Sequence, residues 1–337
     1  MAADRFSISR RQLLAGAAGV AIAAPLLSNG FGFAQAQASA KPIKIAWNAN
    51  AVCSAPVGYA IDKGILAKYG IAGETVNFAG STEQLLEAIA TGKADAGVGM
   101  ALRWLKPLEQ GFDVKVVAGT HGGCIRPLGS KAAGVTKLED LKGKTVAVSD
   151  LASPGKSFFS VLLARAGIDP NKEVDWRVFP GDLLALAVEK GEAQALAHWD
   201  PDTWRFLKSG NFVEIANNLD GEFANRTCCV IAVRGSLFRE DKATVKALVV
   251  GLLEAAKLTA DDPTETARVY YETYKPKSSV EDLVAMLKSH THHHHPIGDA
   301  LKRELALYAE ELKLVQVLKP STDPVKFAER IYGDVFS

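Results

Sequence analysis

Two stretches of the chain carry the same order of apolar and polar positions. Residues 81–101, STEQLLEAIATGKADAGVGMA, and residues 180–200, PGDLLALAVEKGEAQALAHWD, each open on a turn and continue with apolar residues at helical spacing. Those residues are Leu85, Leu86 and Ile89 in the first stretch and Leu183, Leu184, Ala187 and Val188 in the second. Each helix is expected to stop at a glycine, Gly92 or Gly191, in the C′ position where a left-handed residue closes the last turn. A short apolar strand follows, ending at Met100 in one copy and at His198, Trp199 and Asp200 in the other. Ligands of open α/β sheets bind outside the carboxyl ends of strands, so two such units face to face predict a ligand between two lobes.

The rest of the pattern fits that plan. PIKIAWNAN, ETVNF, VKVVAG, TVAVS, VDWRVFP, NFVEIAN and CCVIAV read as strands, and VGYAIDKGILAKYG reads as a helix with Tyr59, Ile61, Ile65 and Leu66 inward. A helix is predicted over 104–110, and another from the turn at Ala152, Ser153, Pro154 and Gly155 to residue 166. HGGCIRPLG is broken by two glycines and a proline and reads as an irregular crossing between lobes. The last third is helical, over 241–259, 263–274, 280–289, 299–314 and 324–332. The predicted fold class is α/β with two lobes, two hinge crossings and a helical C-terminal region. Lobe I takes residues 41–125 plus 225–337 and lobe II takes 126–224.

Composition adds limits rather than a function. With 48% hydrophobic and 23% charged residues the 337-residue chain is a globular protein of two ordinary domains, and a net charge of +1 offers no general pull on nucleic acid or anionic lipid. Residues 1–40 read as a targeting segment. Arg10 and Arg11 precede Leu13, Leu14 and an apolar stretch of about 15 residues, short of the ~20 that span a bilayer. Small-x-small cleavage sites follow at Ala34 and Ala36, Ala36 and Ala38, and Ala38 and Ala40. This is the form of a twin-arginine export signal, and predicts a periplasmic protein. No nucleophile elbow or phosphate loop is present, so a binding module without chemistry is expected.

The order of VGYAIDKGILAKYGI, ATGKADAGVG, KLEDLKGKTVAVS, SPGKSFFSVLLARAGIDP and Trp199-Asp200-Pro201 resembles the periplasmic solute-binding proteins of ABC importers. Within them it is most similar to the branch serving nitrate, bicarbonate, taurine and alkanesulfonates, over residues 43–336. The resemblance implies capture of a small anion between the lobes and delivery to an inner-membrane ABC permease, by a monomer, with no nucleic acid as partner. By position it implies a cleft lined in lobe I by Asn48, Asn50, Cys53, Gly80, Ser81, Met100, His121 and Cys124. Ser153, Gly155, His198, Trp199, Asp200, Thr227 and Cys228 would complete it. Gly80-Ser81 and Ser153-Pro154-Gly155 would present amides at helix starts to the anion. The same fold resembles the thiamine-pyrimidine synthases, a remote enzymatic alternative.

Cysteine and histidine stand out against that plan. Cys53, Cys124, Cys228 and Cys229 in an exported chain admit three roles: a bridge between Cys53 and Cys228 or Cys124 and Cys228, buried hydrophobes, or metal ligands. His290, His292, His293, His294 and His295 lie in a predicted loop, where such a run is either solvated or metal-binding. His121, Cys124, His290, His292 and His294 are the candidate ligands for a divalent metal ion, which is the alternative cargo in the same importer role.

Overall fold

A computed structural model describes residues 40–78, 82–290 and 292–337. Residues 1–39 of the expected targeting segment, Gly80 and Ser81 lie outside those residues. The described chain builds two five-stranded sheets of matching topology. The strands are β1 (Lys41–Trp47), β2 (Ile71–Asn77), β3 (Ala96–Met100), β4 (Val114–His121) and β5 (Ile125–Ser130). They continue with β6 (Thr145–Val148), β7 (Asp175–Val178), β8 (Ala195–Trp199), β9 (Phe212–Glu214) and β10 (Cys229–Arg234). The orders are β2-β1-β3-β10-β4 and β7-β6-β8-β5-β9. In each, two parallel pairings lead to the repeated strand, β3 or β8, at the sheet centre, and an antiparallel strand follows it.

The chain leaves the first sheet through 122–124 and returns through 215–228, and the returning strand β10 inserts between β3 and β4. This is the two-lobed architecture expected from the repeats. Gly92 and Gly191 take the left-handed φ values, 78° and 77°, that end the helices at Thr82–Ala90 and Leu184–Glu189. The C-terminal helices run over Lys242–Asp261, Pro263–Tyr274, Val280–Ser289, Gly298–Leu314 and Pro324–Ile331. No described helix is long and apolar enough to cross a membrane.

Three local expectations are corrected. The helix after β1 splits at Gly64 into Ala55–Asp62 and Ile65–Lys68, so Tyr59 and Ile61 are only half-buried while Ile65 and Leu66 are core. Leu183 belongs to a short 3-10 turn and faces solvent. Ile125–Ser130, read as irregular because of Pro127, is a buried strand between β8 and β9. Proline lacks only the donor; its carbonyl still accepts from the Ile215 amide at 3.0 Å.

One large core covers the first sheet, with Trp47 and Trp104 fully buried, and two smaller ones cover the faces of the second. A fourth joins Val52 and Ala55 to Tyr270, Leu283, Met286 and Leu287. The indole of Trp104 lies directly on β3, where a Cβ at Gly99 would come 2.5 Å from it. Gly99→Ala is therefore expected to cost about 1–3 kcal/mol by overpacking. Urea unfolding of the pure variant measures it, and a loss below the noise of the method would disprove the close approach.

Candidate functional site

Residues from both sheets and from the C-terminal helices enclose a cavity of about 540 Å³. The loop after β1 supplies Asn48, Ala49 and Asn50, and the helix after β3 supplies Arg103. From the second sheet come Ser149 and Asp150 after β6, Pro180, Gly181 and Asp182 after β7, and His198, Trp199, Pro201, Asp202 and Arg205 at and after β8. Tyr270, Tyr274 and the segment 275–278 close the far side. The wall thus lies at the carboxyl ends of β1, β6, β7 and β8, as an open α/β sheet requires.

Its floor is shaped by backbone-directed contacts. Asn77 Oδ1 accepts from the Ala49 amide at 3.0 Å, Asn48 Oδ1 accepts from the Asn50 amide at 2.9 Å, and the Tyr270 hydroxyl donates to the Ala49 carbonyl. Burial pushes the Tyr270 phenol well above its ordinary range, so it acts there as a neutral donor. Arg103 reaches across from the first-sheet side and binds Asp150 through two parallel contacts of 2.9 and 2.7 Å. His198 Nε2 lies 3.4 Å from Asp202, which also accepts from Arg205 at 2.7 Å. Gly181 allows this crowding, since a Cβ there would meet the His198 ring at 3.0 Å. The wall carries Arg103, Arg205, Lys275 and Lys277 against Asp150, Asp182 and Asp202: four formal positive charges to three negative.

Of the residues expected in the cleft, Asn48, Asn50, His198 and Trp199 line this cavity. Met100 is buried at the end of β3, and Thr227 is fully buried with its hydroxyl on the Cys229 carbonyl at 2.8 Å. Ser153 is wholly buried too, its oxygen capping the helix Pro154–Arg165 by accepting from the Lys156 amide at 3.1 Å. Gly155 packs on the Ala197 carbonyl rather than facing a ligand.

Asp200 is corrected from cleft residue to buried anchor. It has no solvent exposure and accepts from Arg126 Nε at 3.2 Å, from the Thr203 hydroxyl at 2.6 Å, from the Trp204 amide at 3.2 Å and pairs with His290 at 3.0 Å. Arg126 continues to Glu214 at 2.6 Å.

The thiols, with His121, His290 and His292, are buried and do not line this cavity. Cys53 Sγ lies 3.9 Å from Cys229 Sγ, and Cys124 Sγ 3.7 Å from Cys228 Sγ, all four as free thiols. Of the two bridges considered, the Cys124 and Cys228 pair is in contact and unbonded, while Cys53 faces Cys229. His290 and His292 are buried while His293 is exposed, so the histidine run is solvated only in part; His294 pairs with Glu304 at 2.7 Å and takes no part in the group. The Cys124 and Cys229 thiols, with His121 beside them, hold the Cys53 thiol well below its ordinary range despite burial. Burial, with His121 and His290 nearby, pushes His292 well below its own.

Arg103, Asp150, Asp202, Arg205, Tyr270, Tyr274 and Lys277 went unrecognised in the sequence. Arg103 had one signal, a cation inside the apolar run ALRWL three residues after a repeated strand; the tyrosines and Lys277 had none.

Two five-stranded sheets joined by two crossings, with a charged cavity between them, define a two-lobed periplasmic-binding-protein fold. The chain belongs to the NMT1/THI5-like family, whose model matches residues 52–266. Among solved structures it is similar to the alkanesulfonate-binding protein SsuA from Xanthomonas axonopodis pv. citri bound to MOPS, at 18% identity and TM-score 0.71 over 85% of this chain and 97% of that one. It is similar to the periplasmic nitrate-binding protein NrtA from Synechocystis PCC 6803, at 16% identity and TM-score 0.71 over 87% and 86%. A zinc-bound ligand-binding component of an ABC-type import system from Staphylococcus aureus matches at 16% identity and TM-score 0.66 over 87% and 100%.

Proposed function

We propose that the chain is the extracytoplasmic solute-binding component of an ABC importer, exported by its Arg10-Arg11 signal, that captures a small organic anion and delivers it to an inner-membrane permease. It binds without chemistry. Lobe I is assigned to 41–125 plus 225–337 and lobe II to 126–224, closing by a hinge at the crossings. The observation that carries the ligand class is the cavity, about 540 Å³ with one net positive charge on its wall. That volume lies in the range of pockets for drug-sized molecules and far exceeds nitrate or bicarbonate. The anionic head exchanges with Asp150 for the Arg103 fork, and the organic body rests on Trp199, Tyr270 and Tyr274. Similarity to an alkanesulfonate-binding protein supports the same class.

Titration calorimetry with nitrate, bicarbonate, taurine and longer alkane- and arylsulfonates tests it. Organic sulfonates or carboxylates are expected to bind at least about tenfold more tightly than nitrate, one decade per ~1.4 kcal/mol. Equal or tighter nitrate binding removes the size argument. Solution scattering should record a smaller radius of gyration on addition of the ligand that binds.

A further inference from the structure

We propose that Cys53, His121 and Cys229, with His292 as the fourth donor, form a buried site for a borderline-to-soft d-block cation, with Zn²⁺ as the reference case. The site is distinct from the anion cleft, since none of the four residues lines that cavity.

Three elements bring the donors together. His121 ends β4 and Cys229 begins β10, and the two are direct partners in the antiparallel ladder, so their side chains share a face. Cys53 comes from the short turn Val52–Ser54 packed over that face. One donor atom from each of the three lies within 4.8 Å of the others. The 3.9 Å between the Cys53 and Cys229 sulfurs is close to the edge of about 3.8 Å that two Zn–S bonds of ~2.3 Å subtend in a tetrahedron. The His292 ring centre is 5.4 Å from that of His121, near the roughly 5 Å expected for two imidazoles on one tetrahedral ion. Cys53, His121 and His292 also line one small cavity among apolar side chains.

Burial without partners makes the case for an ion rather than for packing alone. His121 and His292 are each 1% exposed, and neither ring nitrogen of either has a well-formed hydrogen bond among the described residues. Four unsatisfied ring nitrogens beside two thiols would be costly in a dry site, whereas a cation uses the lone pairs. Two thiolates and two imidazoles suit Zn²⁺, and fewer or softer donors suit Cu⁺; hard cations prefer oxygen. Cys124, Cys228 and His292 all lie outside the set of three mutually close donor atoms; His292 is assigned as the fourth ligand because its ring stands beside His121, lines the same small cavity and has no partner at either nitrogen among the described residues. An ion here would tie β4 to β10 where the chain leaves and rejoins the first sheet.

The test uses the untagged mature chain, purified under reducing conditions and loaded with Zn²⁺ for elemental analysis and with Co²⁺ for its visible spectrum. One equivalent per chain is expected, with the strong ligand-field bands of tetrahedral cobalt and thiolate charge transfer. Cys229→Ser and Cys53→Ser should weaken Co²⁺ binding at least about tenfold and remove the charge transfer, while the surface change Arg268→Ala, on an exposed side chain outside the donor set, keeps both. If a serine variant does not fold, His292→Ala reads the fourth donor: binding weakens and the thiolate band stays. Absence of a stoichiometric ion, bands insensitive to Cys53 and Cys229, or a Cys53 to Cys229 disulfide mapped in the protein as isolated would each overturn the assignment. Sulfonate calorimetry on the metal-free chain reports the cleft separately, so either site can fail alone.

Discussion

Asp200→Asn is expected to lower the unfolding free energy by about 3–5 kcal/mol at neutral pH, the cost of breaking a buried ion pair from one side. The substitution preserves shape but leaves Arg126 with Glu214 alone and His290 facing an uncharged amide. Burial by itself would raise the Asp200 carboxyl; the hydrogen bond and charge of His290, the charge of Arg126 and the Thr203 hydroxyl outweigh it and hold the group below its ordinary range. A folded value below the unfolded one, ~3.9, means the stabilisation is fully present above that pH and is lost as pH falls through the folded value. Wild type should therefore lose stability on acidification below about pH 4 with a contribution that the asparagine variant lacks. Urea midpoints for both proteins between about pH 2 and pH 7 decide it. A variant within 1 kcal/mol of wild type, approximately, with the same acid slope would remove Asp200 from this role.

Arg103→Ala is expected to cost about 3 kcal/mol of ligand binding, roughly a hundredfold in Kd, because a desolvated charge-assisted pair is lost. The Arg103 side chain is 3% exposed and its guanidinium presents a fork already suited to a two-oxygen group, as its grip on Asp150 demonstrates. Arg103→Lys keeps the charge without the fork and should recover only part of the loss. Calorimetry with the tightest organic anion measures both variants, with circular dichroism as the check on folding. An alanine variant that binds within about threefold of wild type would move the anionic head away from Arg103.

Most helices were legible because they signal locally. Pro263–Tyr274 and Val280–Ser289 have a cap, a 3.6-residue apolar stripe and a stop within a dozen residues, and the repeats announced themselves through Gly92 and Gly191. β5 was missed because Pro127 signals a break unless its neighbours are known, and both neighbours, β8 and β9, come some seventy to ninety residues later. The sequence leaves the histidine run open between a solvated loop and metal ligands for a related reason. Nothing in HTHHHH tells that the segment after Val280–Ser289 tucks His290 against Asp200 and His292 against His121.

The sequence by itself therefore determined the alternation of helices and strands, the duplicated unit and the place of the cleft at strand ends, since periodicity and turn chemistry act over a few residues. Which side chains meet was decided by the tertiary structure alone. Cys53, His121, Cys229 and His292 are spread from residue 53 to residue 292 with no spacing in common, and only strand insertion of β10 beside β4 makes His121 and Cys229 neighbours. Likewise Arg103 faces Asp150 because the two lobes pack against one another, and Asp200 turns inward to Arg126 because β5 pairs with β8; long-range pairing of this kind leaves no periodic trace in the chain.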